Sequence, residues 1–335
     1  MARVHRRAAW LALALLGASL ALLGVGAAVG STGWSGLGAF SQDPSAWPIV
    51  RDIRLPRSLG AWLAGALLGL AGAVAQGLFR NPLADPFLLG SASGASLGVA
   101  LALALFGISP QAVSWLATLG LTGAAFVGAM GAVLLTLALA RGVQHTLRLL
   151  LAGVIVGVVL GALGSLITLM APETLPAMQA FLLGSTGFVG WPACVPMAAA
   201  FVLCLLVAWI VSPVLDGLSL GEATARSLGL PLGPLRLALV AVLALATGAA
   251  VAQTGLVAFV GLAAPHLVRS VVKTTHARLV ALSALAGGVL LLGADLLAPA
   301  LIAPPELPGG GLTAAPGGGH PPWLMHFGRG SKGAL

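Results

Sequence analysis

Apolar runs of membrane-spanning length constrain this chain more than any other feature. They lie at 8–30, 57–78, 88–106, 113–140, 147–171, 194–213, 235–252, 255–268, 279–301 and 312–327. A bilayer crossing takes about 20 mostly apolar residues when the backbone satisfies its own hydrogen bonds as an α-helix. Of the 335 residues, 59% are hydrophobic and 7% charged, so a water-soluble fold would lack the polar groups to cover its surface. The runs do not alternate apolar with polar, which argues against a transmembrane β-barrel. The expectation is an all-α, polytopic transmembrane helical bundle of about ten spans, a single transmembrane domain over residues 1–335. The 47 glycines suit it, because small residues let helices approach where lipid offers no hydrophobic drive.

The N-terminal MARVHRRAAWLALALLGASLALLGVGAAVG begins like a signal peptide. Its apolar part, 8–30, is longer than a signal core of roughly 7–15 residues and reads as a retained first span.

The net charge of +8 is spread over short loops, so it reports topology rather than a nucleic-acid partner. With ten spans, Arg3, Arg6, Arg7, Arg80, Arg141, Arg148, Arg226, Arg236, Arg269, Lys273, Arg278, Arg329 and Lys332 share the N-terminal side. Only Arg51, Arg54 and Arg57 fall opposite, so thirteen of the sixteen basic residues mark the side of both termini as cytoplasmic. Arg236 and Arg269 share a side only if 237–268 forms a hairpin. At about 1.5 Å per residue that is short for two full crossings, so one limb is short or broken, near Gly255, Gly261 or Pro265.

Between the runs, 31–56 reads as an outer loop and 172–193 as a second one with room for a short interfacial helix. Trp47 and Trp191 suit the membrane boundary. Residues 214–234 form the largest inner loop. No GxxxxGK[ST] phosphate loop occurs anywhere in the chain.

Several short segments carry chemistry. In LSLGEATARSLGL, 218–230, Ser219 and Glu222 have capping-box spacing. Leu220, Ala223 and Leu228 would form one apolar side, and Gly229 a helix stop. The segment reads either as a loop lying on the membrane or as a knob entering a partner. In RNPLADP, Pro82 and Pro86 stop helices, while Asn81 and Asp85 suit a tight turn. That turn is structural, with or without an added partner contact. Arg54 and Arg57, at the outer mouth of the second span, read as snorkelling side chains or as a docking point for acidic residues. His266, after Pro265, fits a helix-end histidine better than a haem ligand. Asp295, inside an apolar run, is either a functional acid or, near the outer end, a group facing water. Cys194 and Cys204 lack metal-ligand spacing and read as packing residues. No nucleophile–base set, carboxylate pair or metal cluster marks an enzyme.

The stretch RLPRSLGAWLAGALLGLAGAVAQGLFRNPLADPFLLGSASGASLG is followed in order by LSLGEATARSLGL, GLVAFVGLAAPHLVR and the ELP of Glu306–Pro308. This series resembles the FecCD/BtuC-type permeases, the membrane subunits of ABC importers for iron chelates, haem and vitamin B12. The resemblance covers nearly the whole chain. It implies a type II ABC importer permease working as a homodimer in a bacterial inner membrane, with the translocation path along the dimer axis. It implies two cytoplasmic ATPase subunits and a periplasmic substrate-binding protein as partners, besides the lipid bilayer, and no nucleic acid. Leu218, Ser219, Leu220, Gly221, Glu222, Ala225, Arg226, Leu228 and Gly229 would then meet the ATPase, and Arg54 and Arg57 the binding protein. The small residues Gly90, Ser91, Ser93, Gly94, Ala95 and Ser96 are expected near the path.

The chain is expected to bind no cofactor or metal itself, with ATP and Mg used by the partner subunit. The expected function is ATP-driven import of an iron complex such as haem or a ferric siderophore, with vitamin B12 as the alternative. A gradient-driven secondary transporter is the rival from another class, and would need ionisable residues paired deep within spans. Two departures from the family pattern stand out. Pro299 occupies a place where an arginine is common after the acid matching Asp295. Residues 309–335 are atypical for a final span, since six glycines and three prolines between Gly309 and Pro322 are poor helix material.

Overall fold

A computed structural model describes residues 2–30, 33–34, 46–106, 115–143, 146–187 and 189–302. The chain divides into two compact units, Met1–Asp295 and Leu296–Leu335. In the second, the described residues are the last turns of one helix. The ELP triplet, the run 312–327, Arg329 and Lys332 lie outside the described residues.

The helices are α1 (Ala2–Ala28), α2 (Ala46–Ile49), α3 (Leu55–Leu78), α4 (Ser91–Phe106), α5 (Trp115–Leu139) and α6 (Thr146–Met170). They continue with α7 (Leu175–Leu183), α8 (Trp191–Ser219), α9 (Glu222–Ser227), α10 (Leu232–Thr254), α11 (Val260–Val271) and α12 (His276–Ile302). Two-residue strands, Val29–Gly30 and Gly33–Trp34, pair antiparallel after α1. Among the described residues, seven helices are long and apolar enough to cross a membrane: Arg6–Ala28, Trp47–Leu78, Gly120–Leu139, Thr146–Met170, Trp191–Ser219, Leu232–Thr254 and His276–Ala298. α4, with 16 residues, and α11, with 12, are shorter.

α3 is the buried axis of the first unit. It is apolar on all sides, as a helix enclosed by others must be, and every residue from Leu63 to Leu78 is buried. Its closest crossings are made by glycine. A Cβ built on Gly65 of α3 would overlap the carbonyl of Gly287 of α12, and one on Gly287 would overlap Gly65. α4 and α5 cross in the same way through Gly94 and Gly128. Backbones this close trade dispersion contacts over a long seam, which is the main glue between helices in lipid.

One sequence expectation meets a correction, and a second finds its place in the structure. The outer loop placed at 31–56 is helical from residue 46. α2 and a wide π turn, Val50–Arg54, run directly into α3. Pro48 and Pro56 each stand in the first turn of a helical segment, where the missing N–H costs little. The π turn falls where the Pro56 ring would otherwise meet the Asp52 carbonyl. The hairpin limb expected to be short is α11. The break lies at 255–259, with Gly255 (φ +69°) and Phe259 (φ +67°) in left-handed conformations, whereas Gly261 and Pro265 lie inside α11. The backbone freed by the break is satisfied by its neighbours. Leu256 N–H donates to the Phe181 carbonyl at 2.9 Å and Ser185 N–H to the Thr254 carbonyl at 2.7 Å.

Candidate functional site

Three places along the bundle gather the polar groups. The first is the end bearing Arg80, Arg226 and Arg278, called the basic end below. The segment 218–230 projects there. Leu218 and Ser219 close α8 and do not belong to the short helix that follows. Leu218 is fully buried and presents no surface to a partner. Gly221, at φ +107°, turns the chain, and α9 begins at Glu222.

The capping box expected from Ser219 and Glu222 does not form. Ser219 Oγ donates instead to the Asp216 carbonyl at 2.6 Å, and no side chain caps α9. The reason is a stronger competitor for Glu222. Its carboxylate accepts from Arg226 Nη2 at 2.9 Å and from Arg236 Nη1, on α10, at 3.1 Å. The Arg236 hydrogen bond is the first cause of a Glu222 pKa held below the usual carboxylate range.

α9 ends as a Schellman motif. Gly229 takes φ +78°, its N–H meets the Arg226 carbonyl, and the Leu230 N–H reaches the Ala225 carbonyl. Ala225 is buried, so it fastens the helix down. The expected apolar side points the other way: Leu220 is 66% and Leu228 62% exposed, with Ala223 exposed between them.

The same end holds clamps that the sequence reading did not single out. Asp216 Oδ1 accepts from the His276 N–H at 3.0 Å and lies 2.7 Å from His276 Nδ1, fastening α8 to the start of α12. Buried Gln76 of α3 donates to the Leu262 carbonyl at 3.3 Å and accepts from Arg269 of α11. In the RNPLADP turn, Asn81 Oδ1 accepts from Leu83 N–H at 2.9 Å and Asp85 Oδ1 from Phe87 N–H at 2.7 Å. Both are Asx turns. Burial raises the Asp85 pKa, and the Phe87 hydrogen bond opposes that shift.

The second place is a cavity of about 590 Å³ between α4, α6 and α7. Ser93 and Ser96 line it, together with Gly161, Ser165, Thr168, Gln179 and Leu256. The other small residues of that motif lie elsewhere. Gly90 (φ +81°) turns the chain against α6, Ser91 is buried at the start of α4, and Gly94 and Ala95 are buried, Gly94 against α5. The cavity wall is apolar with hydroxyl and amide groups, the usual make-up of a small-molecule site. Among the described residues no group of three or more His, Cys, Asp and Glu side chains is placed to hold a metal ion.

The third place is the opposite end. Arg57 Nε and Nη2 each meet Asp295 at 3.1 Å, a bidentate pair, and Thr186 Oγ1 donates to the same carboxylate. Asp295, one of whose readings was a group facing water, is therefore engaged: its side chain is 11% exposed against 38% for Arg57. Arg54 Nη1 donates to the carbonyls of Ala27 and Ala28 at the end of α1. Trp191 Nε1 donates to the Arg51 carbonyl at 2.9 Å. Cys194 and Cys204 are free and buried.

A helical membrane bundle with an outward-facing apolar knob at its basic end and a cavity between its helices is the build of a transport permease. Residues 9–324 match the FecCD transport family, and the chain belongs to that family. It is 36% identical over 288 residues to the hemin transport system permease protein HmuU of Yersinia pestis, covering 85% of each chain. It is 41% identical over 279 residues to the vitamin B12 import system permease protein BtuC of Salmonella paratyphi A, covering 82% of this chain and 83% of that one. Among solved structures, a proposed metal-chelate type ABC transporter in an inward-facing conformation superposes with TM-score 0.77 at 30% identity, over 95% of this chain and 97% of that one. PsaBC from Streptococcus pneumoniae, at 18% identity and TM-score 0.50 over 81% of this chain and 98% of that one, shares the fold alone.

Proposed function

We propose that this chain is the permease subunit of an ATP-driven importer that moves a metal chelate across the bacterial inner membrane. The carrying observation is α9, a short helix fastened through Ala225 and Glu222 and flanked by exposed Leu220 and Leu228 at the basic end of a FecCD family member. Exposed leucines beside paired charges suit a protein interface better than water. The partner is a cytoplasmic ATPase, two copies serving a homodimer, and ATP and Mg bind there. Of the coupling residues expected from the sequence, Leu220, Arg226 and Leu228 are exposed for such a contact, whereas Leu218 and Ala225 support them from beneath.

The ten-span topology, with both termini cytoplasmic, rests on the distribution of basic residues and on family membership. Arg54 and Arg57, at the periplasmic end, are the docking arginines for a substrate-binding protein. Ser93 and Ser96, in the cavity wall, lie beside the path. The chelate is an iron complex such as haem or a ferric siderophore, supported by the hemin permease relative. The 41% identity to a vitamin B12 permease supports a second reading, with a cobalt corrinoid as cargo.

The test is reconstitution. The chain, purified from its native membrane, retains an ATPase subunit, and proteoliposomes holding both take up a chelate only with ATP and binding protein. Uptake by the chain alone, driven by an ion gradient, overturns the assignment in favour of a secondary transporter. Haem, a ferric siderophore and cobalamin, offered separately, decide the cargo.

A further inference from the structure

Arg236 stands in the second turn of α10 with 3% of its side chain exposed. A guanidinium this deeply buried is costly unless its donors are engaged. Its Nη1 donates to Glu222 of α9 at 3.1 Å and, at the long end of the range, to the Val143 carbonyl at 3.4 Å. One nitrogen therefore touches both the exposed knob and the turn that joins α5 to α6.

Residues 140–143 of that turn are described. α5 ends at Leu139, and Arg141 (φ +56°) and Gly142 (φ +93°) follow it, with Gly142 N–H held by the Leu137 carbonyl at 2.9 Å and Val143 buried. α6 follows from Thr146, and Gly161, Gly164, Ser165 and Thr168 on its far half line the cavity. α10 itself runs from Arg236 to Thr254, and Leu256 just beyond it lines the same cavity. Of the helices next to this buried cation, α6 lines the cavity and α10 ends two residues before Leu256 of its wall. Nη1 carries two N–H donors, one for the carboxylate and one for the carbonyl.

We propose that Arg236 is a positioning residue that ties α9 to α10 and to Val143 ahead of α6, so that displacement of α9 by the motor reaches α6, which lines the cavity, and α10, which ends just before Leu256 of its wall. This rests on the reading that α9 meets the ATPase. Arg236 touches neither motor nor cargo. Its loss is expected to spare ATPase binding and to lower the cargo moved per ATP.

The experiment uses the full complex of permease, ATPase and binding protein in liposomes, comparing wild type, Arg236→Gln, Glu222→Gln and the double variant. ATPase retention and cargo imported per ATP hydrolysed are both measured. Arg236→Gln is expected to retain the ATPase at wild-type stoichiometry and to lose about tenfold in import per ATP, within the usual range of coupling energies. The double variant is expected to lose no more than Arg236→Gln alone, because both changes break one link.

An import-to-hydrolysis ratio within about twofold of wild type for Arg236→Gln overturns the proposal, as does a double variant whose loss equals the product of the singles. Should Arg236→Gln fail to assemble, Glu222→Gln cuts the same link from its water-exposed side, and an unchanged ratio there overturns the proposal equally. A wild-type chain that retains no ATPase refutes the importer assignment itself, a result distinct from any of these.

Discussion

Glu222 and Asp295 show what single residues contribute here and how much of it the sequence discloses. Glu222 stands out in the sequence only as half of a capping box. Arg226 stands one helical turn away in α9, but the second partner, Arg236, becomes visible only once α9 and α10 are placed side by side. Its folded pKa is depressed, first by the Arg236 hydrogen bond. Its stabilising contribution is therefore fully present above the ordinary carboxylate value of about 4.5 and is lost as pH falls through the lower folded value. Hydrogen exchange of residues 221–230, corrected for intrinsic rates, is expected to show constant protection between pH 7 and 5 and loss once the pH falls below the ordinary carboxylate value of about 4.5. Glu222→Gln is expected to flatten that profile. A wild-type profile that already falls between pH 7 and 5 would show that other groups hold α9.

Asp295 is a different case. An acid in an apolar run announces that it needs a partner, but not that the partner is Arg57, 238 residues away. Asp295→Asn is expected to lower stability by about 1–3 kcal/mol, the usual worth of hydrogen bonds to a charged group. Arg57→Gln should cost no more, and the double variant should match the worse single. Tryptophan-fluorescence melting of the detergent-solubilised complex measures all three. Additive losses would mean that the pair is a coincidence of position.

At the scale of helices, the sequence is far more legible. The run 147–171 is α6 within a residue at each end, and 57–78 falls wholly within α3, because a bilayer demands length and apolarity that few other structures require. What stays hidden is where helices begin outside lipid, as at Ala46–Arg54, and how a break such as 255–259, signalled by Gly255, is satisfied. Both depend on backbone partners from elsewhere in the chain, such as the Phe181 carbonyl that receives Leu256. Glycines divide along the same line. Composition alone makes all 47 look alike. In the fold, Gly287 lies against Gly65, whereas Gly17 of α1 has nothing near its absent side chain. Gly287→Val is expected to force α3 and α12 apart at a cost of about 1–3 kcal/mol or more. Gly17→Ala should be neutral or stabilising by up to about 1 kcal/mol through helix propensity. Melting temperature and monodispersity of the two purified variants decide it. Equal effects at the two positions would mean that the α3–α12 seam is not where stability resides.

For the molecule as a whole, one question governs the rest: which end of the bundle faces the cytoplasm. On the proposed ten-span topology, thirteen basic residues against three put the basic end inward by the positive-inside rule, and the proposed motor contact requires the same. The two natural cysteines are buried, so single cysteines introduced at exposed positions report without removing them. Trp47, 58% exposed, stands near the Arg51–Arg57 end, and Leu220 stands on the knob. A membrane-impermeant maleimide applied to right-side-out spheroplasts is expected to label Trp47→Cys and spare Leu220→Cys, with the pattern reversed in inverted vesicles. Adding the ATPase to those vesicles should then shield Leu220→Cys and Leu228→Cys while leaving Arg80→Cys open. The two stages separate two claims. Reversed sidedness would invert the topology and with it every role given to the two ends. Correct sidedness without shielding would keep the topology and remove α9 as the motor's point of contact, leaving the Asx turn at Asn81 and Asp85 as the next surface to probe at that end.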